Sequence, residues 1–86
     1  MPSKRTLFQQ SVAKSAPRET RREAVRELGR IGAVDQLSTL TQTNGIAGPL
    51  RRMAVRELKE LGATEALETI YKSRAVDSAI REQAQL

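Results

Sequence analysis

The chain contains an internal repeat, and this feature limits its possible folds more than any other. Residues 21–50 are written again, with substitutions, as residues 51–80, and the two copies align without a gap. A unit of about thirty residues holds two short helices and two turns, and one such unit cannot bury its own apolar stripe. We therefore expect an all-α fold in which neighbouring helix pairs stack. The aligned pairs that are identical are Arg21/Arg51, Arg22/Arg52, Ala24/Ala54, Val25/Val55, Arg26/Arg56, Glu27/Glu57, Leu28/Leu58, Gly32/Gly62, Ala33/Ala63, Leu37/Leu67 and Thr39/Thr69.

Apolar residues recur at intervals of three and four along the chain, a spacing typical of amphipathic helices. The pattern predicts about six short helices, arranged as two full pairs with half a pair at each end. Gly32 and Gly62 are predicted to end the first helix of each pair, and Gly48-Pro49 to begin the second pair. The predicted organisation is a single domain, residues 1–86, made of an N-terminal capping helix 1–16, a first repeat 17–48, a second repeat 49–76 and a half repeat 77–86.

The apolar positions also predict a core and two edges. Ile31 and Leu61 fall on the apolar stripes of the first helices, while the polar segment 41–48 has no periodicity and is predicted to be a loop. Because each end of the stack passes through the middle of a repeat, the terminal half pairs are expected to act as lids over the apolar core; apolar residues that they leave uncovered would form sticky edges for a partner or a second copy. The candidate edge residues are Leu7, Phe8, Ile80 and Leu86.

The composition excludes several kinds of chemistry. The chain has no Cys and no His, so disulfides, thiolate nucleophiles, imidazole bases and the usual zinc sites are absent. No apolar run approaches the roughly 20 residues of a membrane span. We expect a cytoplasmic protein that is not an enzyme and has no catalytic, cofactor-binding or metal-binding residue.

Positive charge is concentrated in the first third of the chain. The net charge is +5, and residues 1–30 hold eight basic and three acidic residues, which already gives +5. The basic residues are Lys4, Arg5, Lys14, Arg18, Arg21, Arg22, Arg26 and Arg30. An acidic partner is therefore expected to meet this end first.

The sequence LRRMAVRELKELG, residues 50–62, resembles the signature of HEAT-like repeats: a hydrophobic residue, Arg, then Ala, Leu, Leu and Gly at fixed intervals. It is most similar to the short subtype named after the phycobilisome lyases. Residues 20–32 resemble the same signature, and so do Ile80, Arg81 and Ala84. The resemblance covers roughly residues 17–86 and implies an α-solenoid of HEAT-like hairpins.

The resemblance also implies a role for the arginine that recurs as Arg21, Arg51 and Arg81. In similar repeats this arginine lies between units and bonds a carboxylate or a helix end next door. The family commonly has an Asp directly after the helix-ending glycine, whereas here the nearest acids are Asp35 and Glu65. We expect Arg51 and Arg81 to be partly buried, with Asp35 and Glu65 as their candidate carboxylate partners in a shifted ladder.

Two surfaces are candidates for binding. Arg18, Arg22, Arg26 and Arg30 recur every four residues, so they form a cationic row on one helix face. Glutamates three residues before Arg22, Arg26 and Arg30 can neutralise that row, so it is either a solvated face or, with Lys4, Arg5 and Lys14, a binding surface. The second helices, which line the concave side of such stacks, offer the candidate contacts Gln36, Thr39, Thr69 and Tyr71, although Tyr71 also fits core packing.

Three functions remain open at this point. The leading hypothesis is a non-catalytic protein-interaction module, an accessory, assembly or regulatory factor that docks on a larger complex, with a light-harvesting one implied by the resemblance. The second is nucleic-acid binding through the basic end, which the interleaved glutamates and the scarcity of aromatic residues disfavour. The third, a bilin lyase-like subunit, follows from the resemblance alone.

Overall fold

The computed structural model describes residues 3–74 and 76–85, and over these residues the protein is entirely α-helical. The all-α class predicted from the repeat is therefore confirmed. Within the described part the helices are α1 (Lys4–Val12), α2 (Arg18–Arg30), α3 (Val34–Gln42), α4 (Gly48–Glu60), α5 (Thr64–Lys72) and α6 (Ser78–Gln83).

Local signals explain where the helices begin and end. The Ser3 hydroxyl accepts a hydrogen bond from the Thr6 backbone N–H at 3.2 Å and caps α1. Gly32 and Gly62 have φ of 69° and 67°, a left-handed conformation that favours glycine. At each glycine the chain turns back, so that the next residue's N–H bonds a carbonyl of the finished helix and the following helix starts almost at once.

The same helix contacts recur along the chain. The helices α2 and α4 pack together, and so do α4 and α6. On the other side α1 contacts α3, and α3 contacts α5. Equivalent surfaces of the repeat therefore meet at thirty-residue intervals, with an aliphatic core between them whose fully buried members include Val25, Leu28, Leu37, Leu40, Val55, Leu58, Leu67 and Ile70.

Several details of the core differ from the sequence-based expectation. Ile31 and Leu61 are 36% and 39% exposed, because each directly follows the last residue of its helix, where the chain turns away from the core. The supposed loop 41–48 is shorter than expected, since α3 continues through Gln42 and α4 begins at Gly48. Ile46, inside that loop, is buried and so is its repeat equivalent Val76.

The candidate edge residues at the ends of the molecule are mostly covered. Leu7 and Ile80 are both buried in the core, so the terminal helices act as lids at these two positions. Phe8 is half-buried and packs against the same core. Leu86 lies outside the described residues. None of the helices in residues 3–74 and 76–85 is long and apolar enough to cross a membrane.

Candidate functional site

The three repeat arginines make the same bond in each copy. The Nε of Arg21 donates to the Ser11 carbonyl at 3.0 Å, that of Arg51 to the Thr41 carbonyl at 2.9 Å, and that of Arg81 to the Tyr71 carbonyl at 3.0 Å. Each acceptor lies in the last turn of the preceding helix, where carbonyls lack an intrahelical partner. The three acceptor residues are Ser11, Thr41 and Tyr71. The guanidinium charge also faces the negative end of the helix dipole there.

These arginines do not use the carboxylates named by the sequence. Asp35 and Glu65 are both exposed, and neither forms an ion pair with a described Lys or Arg. The Nε of each arginine bonds a backbone carbonyl at a helix end instead. The sequence analysis named the helix end as one possible partner, but its specific pairing with Asp35 and Glu65 is not what the structure contains.

Arg51 is the most buried of the three arginines and has a different carboxylate nearby. Only 6% of the residue is exposed, and its Nη1 lies 3.9 Å from Oδ2 of Asp77. Asp77 immediately precedes α6, so it sits beside the N-terminal end of that helix. The other terminal nitrogen, Nη2, is buried and has no hydrogen-bond partner in the described structure.

We call the contact between α2 and α4 the first seam and that between α4 and α6 the second seam. The first seam contains a pocket of about 410 Å³, which falls in the size range of small-ligand sites. Its lining combines three arginines with four apolar residues: Arg18, Arg21, Arg22, Ala47, Pro49, Leu50 and Met53. We call this the first-seam pocket.

The cationic row on α2 is divided by its ion pairs. Arg26 pairs with Glu23 and lies 3.9 Å from Glu19, and Arg30 lies 3.3 Å from Glu27. Arg18 and Arg22, in contrast, form no ion pair with a described carboxylate. The C-terminal half of the row is therefore neutralised, and its N-terminal half carries uncompensated charge at the pocket.

The remaining basic residues of the first third do not all join this pocket. Lys4, Arg5 and Lys14 are exposed. Lys4 and Arg5 begin α1 whereas Lys14 follows its end, and a nine-residue helix is roughly 13 Å long. Lys14 is thus in the connection that leads to Arg18 at the start of α2, and Lys4 and Arg5 are at the far end of α1.

The polar candidates on the second helices form no comparable site. Gln36 and Thr39 line a shallow groove of about 200 Å³ with Phe8 and Asp35. The Thr69 hydroxyl donates to the Glu65 carbonyl of its own helix at 3.0 Å. Tyr71 is 39% exposed, although the equivalent Ser11 and Thr41 are fully buried. The helix that contains Ser11, α1, is covered by α3, and the helix that contains Thr41, α3, is covered by α5. Among the described residues no further second helix follows to cover α5 and Tyr71.

One carboxylate between α2 and α4 has an altered acidity. Burial raises the pKa of Glu57 above its ordinary value, and neighbouring Glu60 adds to the rise, while Arg26 and Arg56 oppose it. The Glu57 side chain packs directly over Gly29 of α2. The shift has a packing explanation, and the other residues that line the groove are Arg26, Gly29, Arg30, Glu60 and Leu61.

The sequence analysis named the arginines of the pocket but not its apolar residues. Ala47, Pro49 and Met53 were assigned to a loop and a helix start, since only the contact between α2 and α4 brings them beside Arg18 and Arg22. A usable signal was present in the repeat itself. Ala47 and Met53 occupy the positions of Asp77 and Gln83, so at both positions one copy has an apolar residue and the other a polar one.

Across residues 3–74 and 76–85, no group of acidic residues is arranged to hold a metal ion. Comparison with family models, with curated proteins and with solved structures finds no match to this chain.

Proposed function

We propose that the chain is a non-catalytic protein-interaction module that docks on an acidic surface of a larger protein assembly, as an accessory, assembly or regulatory factor. We also propose that its helices form a short α-solenoid of HEAT-like hairpins. The recurrence of the same helix contacts and of the same arginine-to-carbonyl bond every thirty residues supports this arrangement.

The observation that carries the proposal is the local excess of positive charge at the first seam. Arg18 and Arg22 are exposed, have no carboxylate partner among the described residues, and flank a pocket with an apolar floor. Mixed arginine and apolar surfaces are typical of protein interfaces. Uncompensated charge accelerates association with an oppositely charged partner and makes the rate sensitive to salt.

Nucleic-acid binding is the weaker alternative for the same charges. A phosphate backbone is extended and needs a continuous cationic track. Beyond the pocket, α2 instead presents Arg26 and Arg30 already paired with Glu23 and Glu27. Protein binding therefore accounts better for the distribution of charge.

A charge-reversal experiment tests the proposal. The test variant is Arg18→Glu/Arg22→Glu, and the matched control is Arg56→Glu/Lys59→Glu, which changes the net charge equally on exposed residues of α4. Each tagged variant is used for affinity purification from the native cell at moderate salt, with nuclease treatment and mass spectrometry. We expect a nuclease-resistant protein partner to be retained by the control and lost by the test variant.

Two outcomes oppose the proposal. Equal loss of the partner in both variants would mean that only net charge matters, and recovery that disappears with nuclease would favour nucleic acid. The light-harvesting association and the bilin lyase-like role stay predictions from the family resemblance alone; absence of an adduct after incubation with a bilin and its acceptor protein would remove the latter.

A further inference from the structure

We infer that the first-seam pocket binds a carboxylate side chain, an aspartate or glutamate of an acidic peptide segment in the partner. The inference rests on the proposed function and names the ligand chemistry of its site. The bound carboxylate takes the place that Asp77 holds in the second seam.

The two seams differ in a carboxylate beside the repeat arginine. Asp77 lies 3.9 Å from Arg51 and precedes α6, and both residues have equivalents thirty residues earlier, Ala47 and Arg21. Ala47 and Arg21 both line the first-seam pocket. The first seam therefore repeats the arginine of the second seam but lacks the acid that accompanies it.

The two seams also differ in a side-chain amide, that of Gln83. In the second seam the Gln83 Nε2 donates to the Arg52 carbonyl at 3.0 Å and ties α6 to α4. Its equivalent in the first seam is Met53, which lines the pocket and has no such donor. At the two positions where the second seam has Asp77 and Gln83, the first seam has Ala47 and Met53. These two residues line the open pocket.

The two seams differ in net charge as well. Gly48 of the second seam corresponds to Arg18 of the first, so the first seam has one arginine more. Counting the equivalent positions, the first seam has Arg18, Arg21 and Arg22 with no acid, a charge of +3. The second has two arginines and Asp77, a charge of +1. Arginine at such a site favours planar carboxylates through paired hydrogen bonds.

The apolar part of the pocket narrows the ligand. Pro49, Leu50 and Met53 form a floor next to the arginines. A free carboxylate would leave that floor in contact with water, whereas a peptide with an aliphatic residue adjacent to its acid would cover it. The pocket volume of about 410 Å³ accommodates more than a single carboxylate group.

The test uses ¹H–¹⁵N NMR titration of the full chain with a defined probe, an acetylated peptide that alternates glutamate with leucine and serine. A matched peptide carries glutamine in place of glutamate. We expect the glutamate peptide to shift the backbone signals of Arg22, Ala47, Leu50 and Met53 and the Nε–H signal of Arg21. The equivalent residues of the second seam are Asp77, Ile80 and Gln83, and their backbone signals are the internal control that is expected to stay unchanged.

Two variants at one position decide whether the pocket is the site. Ala47→Asp places a carboxylate where Asp77 stands in the other seam, and it is expected to weaken peptide binding at least about tenfold, since the added negative charge offsets the positive charge of the pocket and repels the peptide's carboxylate. Ala47→Asn has nearly the same shape and similar helix-capping ability but no charge, and it is expected to keep affinity within about threefold. Neither substitution touches the buried core, so both variants are expected to fold.

Three results would overturn the inference. One is a response centred on Lys4, Arg5, Arg26 or Arg30 instead of the pocket. Another is equal binding by Ala47→Asp and Ala47→Asn. The third is stronger binding of a single-stranded oligonucleotide than of the peptide, with the same residues shifted. If Ala47→Asp fails to weaken binding while Arg18→Glu/Arg22→Glu still loses the protein partner, the proposed function stands and only the pocket assignment fails.

Discussion

Each repeat arginine is held through its Nε by a main-chain carbonyl, so the acceptor does not depend on the side chain that carries it. Ser11, Thr41 and Tyr71 are chemically unlike, yet their carbonyls accept the same bond. The three bonds differ in their exposure to water. The bond of Arg51 is buried, that of Arg21 is partly buried and that of Arg81 is exposed.

This gradient predicts the stability cost of losing each arginine. Arg51→Ala leaves a buried carbonyl without a donor and is expected to lower the free energy of unfolding by about 2–3 kcal/mol. Arg81→Ala, where water can replace the donor, is expected to cost about 0.5–1 kcal/mol, with Arg21→Ala between them. Urea unfolding followed by circular dichroism measures all three, and Arg56→Ala serves as the exposed control with a change within about 0.5 kcal/mol. Equal losses at the three positions would contradict this explanation.

The role of these arginines could be anticipated from the sequence, but their partners could not. A position that recurs in register with a fixed residue type indicates a bond between repeats. A helix end was one of the two kinds of partner expected, and Asp35 and Glu65 were the candidates of the other kind. The sequence does not decide between them, because every helix end offers free carbonyls whatever its side chains are. Similarly, Asp77 could not be matched to Arg51 before the second seam was known.

At the scale of helices, α2 and α4 approach closely because Gly29 has no side chain. A Cβ added at Gly29 would lie 2.9 Å from Cγ of Glu57, which is closer than unbonded carbons pack. The equivalent residue in α4 is Lys59, which is exposed, so the requirement for glycine applies only to the helix that faces Glu57.

This contact predicts the sign of a substitution that would ordinarily stabilise a helix. Gly to Ala within a helix gains roughly 1 kcal/mol, but overpacking against Glu57 costs roughly 1–3 kcal/mol. We expect Gly29→Ala alone to destabilise the protein by up to about 2 kcal/mol. In the background of Glu57→Ala the same change is expected to stabilise it by about 0.5–1 kcal/mol. Thermal unfolding of the four proteins in this double-mutant cycle measures the coupling, and additive effects would rule it out.

The helices themselves were largely predictable, while the residues between them were less so. Periodicity located all the described helices because each has an apolar face, and a glycine or proline also lies at or beside an end of α2, α3, α4 and α5. The segment 41–48 lacked periodicity, so Ile46 was assigned to a polar loop although it is buried, as is Val76 one repeat later. A single apolar residue in a short connection carries no period, and only the packing of the completed stack determines whether it is covered.

At the scale of the whole molecule, the described helices differ in how many neighbours support them. The helix α4 contacts α2, α3, α5 and α6, and α3 is similarly surrounded. The six-residue α6 contacts only α4 and α5. Stability should therefore be highest in the middle of the structure and lowest at α6.

Hydrogen exchange of the intact chain tests this distribution. We expect the amides of α3 and α4 to exchange most slowly, those of α2 next, and those of α6 at least about tenfold faster than those of α4, because α6 can detach without exposing most of the core. The measurement is exchange followed by NMR at neutral pH. Uniform protection across α3, α4 and α6 would instead mean that the molecule opens only as one unit.

The residue just before α4 or α6 affects the balance of charge in the seam that this helix forms. Where it is Asp77 the molecule supplies its own acid; where it is Ala47, the positive charge is left for an outside molecule to balance. Because both copies have an arginine at the position of Arg21 and Arg51, we expect this one residue per unit to set the number of binding sites in a longer array of such units. An acid at this position would neutralise part of the charge of that unit's site, and an alanine would leave the site free to bind.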